Sequence, residues 1–109
     1  MIMGTAILQE LAKTVRSKNA GTDKITFDII FDNKENFDLV CSSNVITKAS
    51  MAELFNVAED RITDFVQYEP ANAIKFTILR DYPSGYPGDG DIFGSQHYPP
   101  LLTLKIPIN

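Results

Sequence analysis

The sequence has few of the features that mark a secreted, membrane-spanning or nucleic-acid-binding protein. It contains one cysteine, Cys41, so no internal disulfide can form, and we expect a reducing compartment. Its 10 Lys and Arg residues are outnumbered by 14 Asp and Glu residues, and the basic residues form no cluster along the chain. Because nucleic-acid binding draws on clustered Lys and Arg, we expect no nucleic-acid partner.

A long hydrophobic run is also missing. The first residues, MIMGTAILQELAK, contain a short apolar stretch and no basic leader, unlike a signal peptide or a membrane-spanning helix. We therefore expect a soluble, cytoplasmic protein without a membrane contact. The 109 residues, 44% of them hydrophobic, predict one domain over residues 1–109 with a modest core.

Alternating apolar residues predict the strands. Residues 24–31, KITFDIIF, and 73–80, AIKFTILR, place an apolar side chain at every second position, as does LLTLKIPI at 101–108. Residues 62–68 alternate imperfectly, which indicates a bulge or an edge position, and the connection at 69–72 predicts a hairpin with the strand that follows. Residues 7–15 fit either a helix or a strand, and residues 16–23 contain an Asn-Ala-Gly turn signal.

Two short helices are predicted between these strands. Asp32 is placed to cap the first, with Glu35 three residues later in the capping-box position. The second is expected to begin at Thr47 and to end near Asn56. Because the strands are segregated from the helices, the pattern predicts an α+β domain. Its sheet would be antiparallel or mixed, with about five strands and both helices on one face.

The segment from Arg80 to Pro100, RDYPSGYPGDGDIFGSQHYPP, is the most unusual part of the chain. It holds four of the six glycines, four of the six prolines and the only histidine, His97. Connections of this length without regular structure are uncommon in compact domains and often functional. We predict that it contacts a ligand or a partner protein. The candidate contact residues are Ser84, Gly85, Gly88, Asp89, Asp91, Gln96 and Tyr98.

Several motifs together resemble a known family. They are RSKNAG at 16–21, PAxxIK at 70–75, Arg80, SGxxGDxD at 84–91 and PLLxLxIP at 100–107. The combination resembles an uncharacterised bacterial domain family whose members are encoded beside, or fused to, proteins like the acyclic-terpene-utilisation type A protein. It also resembles the ferredoxin-like domain at the carboxyl end of those larger proteins. One departure is His97, which stands where the family is expected to have a glutamine.

This resemblance implies a metabolic context, namely the catabolism of acyl-CoA or carboxylic acids, and a larger partner subunit. It brings no catalytic assignment with it. From the residues themselves, a basic group is expected to bind an anion beside the glycine-rich turns, because such turns and Arg side chains both bind carboxylate or phosphate. That group is Arg16, Ser17, Lys18, Asn19 and Arg80. The alternative is that Arg16 and Arg80 bridge Asp81, Asp89 or Asp91 and fix the segment.

Other chemistry receives less support. Asp89, Asp91 and His97 do not have the spacing of a known metal site, and we predict none. No nucleophile elbow surrounds Ser84 or Ser95, and the glycines spell no dinucleotide fingerprint, so no cofactor is assigned. Cys41 is expected to be a buried structural thiol.

Two functions remain open from the sequence. The first is a non-catalytic accessory domain or small subunit, acting as a homo-oligomer or with a larger partner. The second is a hydratase-type or lyase-type enzyme acting on a small carboxylate or acyl-CoA. In that enzyme Asp89 or His97 would transfer a proton.

Overall fold

The computed structural model describes residues 4–21, 23–79 and 99–108. In these ranges it forms two antiparallel sheets and four α-helices, with two short 3-10 turns at Glu59–Arg61 and Glu69–Ala71. The elements in chain order are β1 (Gly4–Ile7), α1 (Leu8–Leu11), β2 (Thr14–Asn19), β3 (Lys24–Ile30), α2 (Lys34–Ser43), α3 (Lys48–Leu54), β4 (Ile62–Tyr68), β5 (Ala73–Leu79), α4 (Pro99–Leu102) and β6 (Lys105–Ile108). The predicted α+β class with antiparallel strands is confirmed. The ferredoxin-like arrangement stays a prediction.

The larger sheet has the strand order β2-β3-β5-β4. It consists of two hairpins, β2 with β3 and β4 with β5, that are joined by antiparallel pairing of β3 with β5. Strand β4 lies at an edge, and its register shifts between Ile62 and Phe65. Two residues there oppose Thr77 alone, which is a β-bulge. The prediction of a bulge or an edge position is therefore confirmed, and among the described strands β4 has both.

One face of this sheet, called the inner face below, carries the core. Three alternate residues of each central strand point toward it and are buried, namely Ile25, Phe27 and Ile29 of β3 and Ile74, Phe76 and Ile78 of β5. The Phe27 ring stacks on Phe76 with centroids 4.8 Å apart and contacts Phe55, which follows α3, at 4.9 Å. Phe31, beyond the end of β3, meets Phe37 of α2 edge to face. Both longer helices thus pack on the inner face, as predicted.

Helix α2 begins one residue later than the sequence indicates. Its cap is Asn33, whose side-chain oxygen accepts a hydrogen bond from the Asn36 backbone N–H at 2.8 Å. The prediction that Asp32 caps this helix with Glu35 is therefore wrong. Asp32 and Asn33 are both good capping residues, so sequence preference could not separate them. Asp32 is instead exposed, 3.8 Å from the Lys13 ammonium.

Helix α3 begins where it was expected to begin. Thr47 is its cap and accepts a hydrogen bond from the Ser50 N–H at 3.0 Å, while the Ser50 hydroxyl accepts one from the Thr47 N–H at 2.9 Å. This reciprocal pair satisfies two backbone donors at the start of the helix. The helix ends before Asn56, which adopts a left-handed conformation with φ of 56°.

The second sheet pairs β1 with β6 and was not predicted. Residues 101–108 do not form one continuous strand, because a helical turn ends at Leu102 and the strand starts only at Lys105. As a result Leu101 and Ile106, which a continuous strand would place on opposite faces, are both fully buried. Strand β2 continues through Arg16 to Asn19, so the Asn-Ala-Gly signal predicted within residues 16–23 lies at its end, before β3 begins at Lys24. Over the described ranges, no helix has the length and apolar character needed to span a membrane.

Candidate functional site

The opposite side of the larger sheet, called the outer face below, carries a row of polar residues across its strands. Residues paired directly across neighbouring strands point to the same face, and alternate residues along a strand point to opposite faces. Arg16 on β2 pairs with Asp28 on β3, Asp28 pairs with Lys75 on β5, and Lys75 pairs with Val66 on β4. One carboxylate therefore lies between two basic residues in the middle of the sheet.

Asp28 is the centre of this row. Its side chain is only 4% exposed, and its Oδ2 accepts a hydrogen bond from Arg16 Nε at 3.1 Å. Its other oxygen, Oδ1, lies 3.8 Å from Lys75 Nζ and has no hydrogen-bond partner. A buried carboxylate oxygen without a donor costs free energy, since the water it loses on folding is not replaced. Only one of the two Asp28 carboxylate oxygens therefore accepts a hydrogen bond.

The outer face is rich in positive charge. On β2, β3 and β5, alternation assigns four basic residues to it, Arg16, Lys18, Lys24 and Lys75, against the single acidic residue Asp28. This excess contrasts with the formal net charge of −4 for the whole chain. On these three strands the described residues of the outer face therefore carry more positive than negative charge, which favours the approach of an anion.

The row next to Asp28 contains two threonines. Thr26 and Thr77 are paired across β3 and β5, and their hydroxyl oxygens lie 3.1 Å apart, within hydrogen-bond distance. Thr77 is buried, and Lys18 pairs with Thr26 from the other side. One of these hydroxyls donates to the other, whereas Asp28 Oδ1 on the same face has no hydrogen-bond partner.

The structure divides the four predicted anion-binding residues of β2 between the two faces. Arg16 and Lys18 lie on the outer face, and both are exposed. Ser17 pairs with Phe27 and is buried on the inner face, and Asn19 shares its direction. Arg16 and Lys18 are therefore placed together, whereas Ser17 and Asn19 point away from them.

The remaining predicted residues lie outside the described ranges. They are the anion-binding candidate Arg80, the proton-transfer candidates Asp89 and His97, and the contact candidates Ser84, Gly85, Gly88, Asp91, Gln96 and Tyr98. Their assignments stay predictions. The structure pairs Arg16 with Asp28. The sequence pattern had placed Asp28 on the polar side of a strand but had not identified it as a partner of Arg16.

Two further residues were not singled out from the sequence. Lys75 follows a buried Ile74 and precedes a buried Phe76, so strand alternation assigns it to the polar face, and the register of β3 with β5 sets it opposite Asp28. Arg61 donates from Nε and Nη2 to the Leu79 carbonyl at 3.2 and 2.9 Å. This fork holds the last described residue of β5, and no sequence motif indicated it.

Cys41 lies on α2 and is partly buried. Burial raises the pKa of its thiol above the ordinary value of 9.0, and the negative charges of Asp38 and Glu69 raise it further, while Lys34 acts in the opposite direction. A thiol with a raised pKa is a poor nucleophile at neutral pH. This supports a structural rather than a reactive cysteine. Across the described residues, no group of three or more His, Cys, Asp or Glu side chains is arranged to hold a metal ion.

Comparison with known proteins identifies the family. Residues 8–105 match the family described as Domain of unknown function (DUF4387). Because this match spans most of the chain, the protein belongs to that family, and the resemblance to an uncharacterised domain family is confirmed. No curated protein matches the chain, and neither does any solved structure.

Proposed function

We propose that this DUF4387 domain is a non-catalytic accessory domain or small subunit that binds a small carboxylate or acyl-CoA on the outer face of its larger sheet. The observation that supports the proposal is the excess of basic residues there, four against one acidic residue on β2, β3 and β5. A local excess of positive charge attracts anions even though the net charge of the protein is negative.

Arg16 and Lys75 are the residues best placed to contact the anion. Arg16 uses Nε for Asp28, and its side chain is 56% exposed. The other edge of its guanidinium can therefore meet a carboxylate or phosphate with two donors. Lys75 is 50% exposed, and Asp28 holds both cations close to one another. Asp28 acts here as a positioning residue.

We prefer the accessory role to the enzymatic one because the basic residues of the outer face favour anion binding, whereas the proton-transfer candidates Asp89 and His97 rest on the sequence alone. The alternative is a hydratase or lyase in which Asp89 or His97 transfers the proton. The family resemblance seen in the sequence adds a metabolic setting and a larger partner, a protein like the acyclic-terpene-utilisation type A protein. That association belongs to this proposal.

Ligand binding is tested by thermal shift and by NMR titration with small carboxylates and acyl-CoA esters. A ligand that binds only the folded state raises the unfolding temperature. We expect Arg16→Ala and Lys75→Ala each to weaken binding at least about fivefold, in line with the loss of one charged hydrogen bond. Lys105→Ala is the matched control, because Lys105 is also exposed but lies on β6 in the other sheet. Equal effects of all three changes would contradict the proposal.

A second observation favours a protein partner at the edge strand β4. Val66 and Tyr68 are large hydrophobic residues that are 47% and 48% exposed, and both point to the outer face. Among the described strands β4 pairs only with β5, and the other edge of such a strand can pair with a strand of another protein. Size-exclusion chromatography with light scattering tests association with a second copy or a larger subunit. Val66→Lys with Tyr68→Ser is expected to abolish the complex, and persistence of the complex would exclude this edge.

A further inference from the structure

We infer that the anion bound on the outer face carries a hydrogen-bond donor close to its carboxylate, as a hydroxycarboxylate does, and that Asp28 selects for this donor. The inference rests on the proposed anion binding. Its basis is the Asp28 Oδ1 atom, a buried acceptor with no hydrogen-bond partner between two cations.

The two oxygens of Asp28 are used differently. Oδ2 is occupied by Arg16 at 3.1 Å, which fixes the orientation of the carboxylate. Oδ1 faces Lys75, whose ammonium at 3.8 Å is beyond hydrogen-bond distance. The neighbouring threonine hydroxyls of Thr26 and Thr77 bond to each other. Because the hydrogen bond from Arg16 to Oδ2 fixes the carboxylate, Oδ1 also points in a fixed direction.

Lys75 provides the route by which a ligand reaches this oxygen. Its side chain is half exposed and flexible, so its ammonium can turn toward the carboxylate of a bound acid. The hydroxyl of that acid then lies beside Oδ1 and donates to it, while Arg16 and Lys75 bind the negative charge. An acid without the hydroxyl leaves the buried oxygen unsatisfied and binds less well, since a site built around a buried polar group rejects analogues that lack its partner.

Matched pairs of acids test this selectivity in the intact protein. The probes are lactate against propionate and 3-hydroxybutyrate against butyrate, and each dissociation constant is measured by NMR titration. We expect the hydroxy acid of each pair to bind about tenfold more tightly, the range of one hydrogen bond to a charged group. Asp28→Asn should reduce this ratio to about twofold or less, because a neutral acceptor forms a weaker bond than a charged one.

The outcomes separate this inference from the proposal on which it rests. If both acids of a pair bind equally, the selectivity is wrong while carboxylate binding stands. If neither binds, carboxylate binding and the inference both fail. A ratio that persists in Asp28→Asn also overturns the inference. If Asp28→Asn does not fold, the ratio of dissociation constants in the wild-type protein still tests the inference. The 13C chemical shift of the Asp28 carboxyl gives a second test, because it must change with the hydroxy acid and not with its analogue.

Discussion

Asp28 and Arg16 face each other across β3 and β2 with Oδ2 and Nε 3.1 Å apart, although the carboxylate side chain is 4% exposed and the arginine side chain is 56% exposed. The pair thus joins a buried charge to a solvent-facing one. Removing Arg16 leaves a buried carboxylate without its hydrogen-bonded cation, whereas removing Asp28 leaves a cation that solvent can hydrate. The two changes therefore differ in their cost to stability. This asymmetry leads to the first prediction.

Arg16→Ala is expected to lower the free energy of unfolding by about 1–2 kcal/mol. This estimate is well below the cost of breaking a fully buried pair, since solvent screens the exposed guanidinium and Lys75 stays near Asp28. Lys18→Ala, two residues along the same face, is the control and should change stability by less than about 0.5 kcal/mol. Urea denaturation at neutral pH measures both. Equal effects of the two changes would show that the Asp28 pair does not stabilise the fold.

The aromatic group on the inner face gives the second prediction. Phe76 is fully buried, stacks on Phe27 at 4.8 Å and lies 6.1 Å from Phe65 across the β4 pairing. Phe76→Ala should therefore destabilise the protein by about 3–5 kcal/mol through lost burial and a cavity. Val66→Ala, on the exposed side of β4, should cost less than about 0.5 kcal/mol. The comparison is made by chemical denaturation, and a Phe76→Ala loss below about 1 kcal/mol would place Phe76 outside the core.

The inner face was predictable because its signal is local. Alternation of apolar and polar residues in KITFDIIF and AIKFTILR indicates half-buried strands. The structure pairs these two strands in the centre of the larger sheet. Alternation also assigned Lys75 and Asp28 to the other face, but it could not show that they are neighbours. That information lies in the register, which sets Asp28 opposite both Arg16 and Lys75.

The carboxyl-terminal strand shows why a local pattern fails. LLTLKIPI alternates well, yet residues 99–102 form a helical turn and Leu101 is buried. Tertiary contacts determine the start of β6, because the Leu8 N–H donates to the Leu104 carbonyl at 2.8 Å just before the strand begins. Strand propensity depends on such neighbours more than helix propensity does.

Helix α2 supplies the third prediction, which compares two adjacent residues. Asn33→Ala removes the acceptor of the Asn36 N–H and should destabilise the protein by about 1 kcal/mol. Asp32→Ala removes only an exposed contact with Lys13 at 3.8 Å and should cost less than about 0.5 kcal/mol. Thermal unfolding of the two variants under the same buffer distinguishes them. A larger loss for Asp32→Ala would restore the cap position that the sequence suggested.

The last prediction concerns the ionisation of Cys41. Its pKa is raised above 9.0, first by burial and then by the charges of Asp38 and Glu69. The rate of alkylation by iodoacetamide should therefore reach half its maximum above pH 9.0 in the folded protein and at a lower pH in urea, since the thiolate is the reactive form. Asp38→Asn should move the folded midpoint down. Glu35→Gln, an exposed acidic position in the first turn of the same helix, serves as the control.

The same shift sets the direction of a stability change. Because the folded state disfavours the thiolate, the unfolded chain loses its proton at lower pH, and the contribution of Cys41 to stability is complete below the unfolded pKa. It is then lost as the pH rises through the raised folded value. Cys41→Ser should thus flatten the fall in stability above about pH 9, the region in which free thiols ionise. A folded midpoint equal to the midpoint in urea would show that neither burial nor the nearby carboxylates act on this thiol.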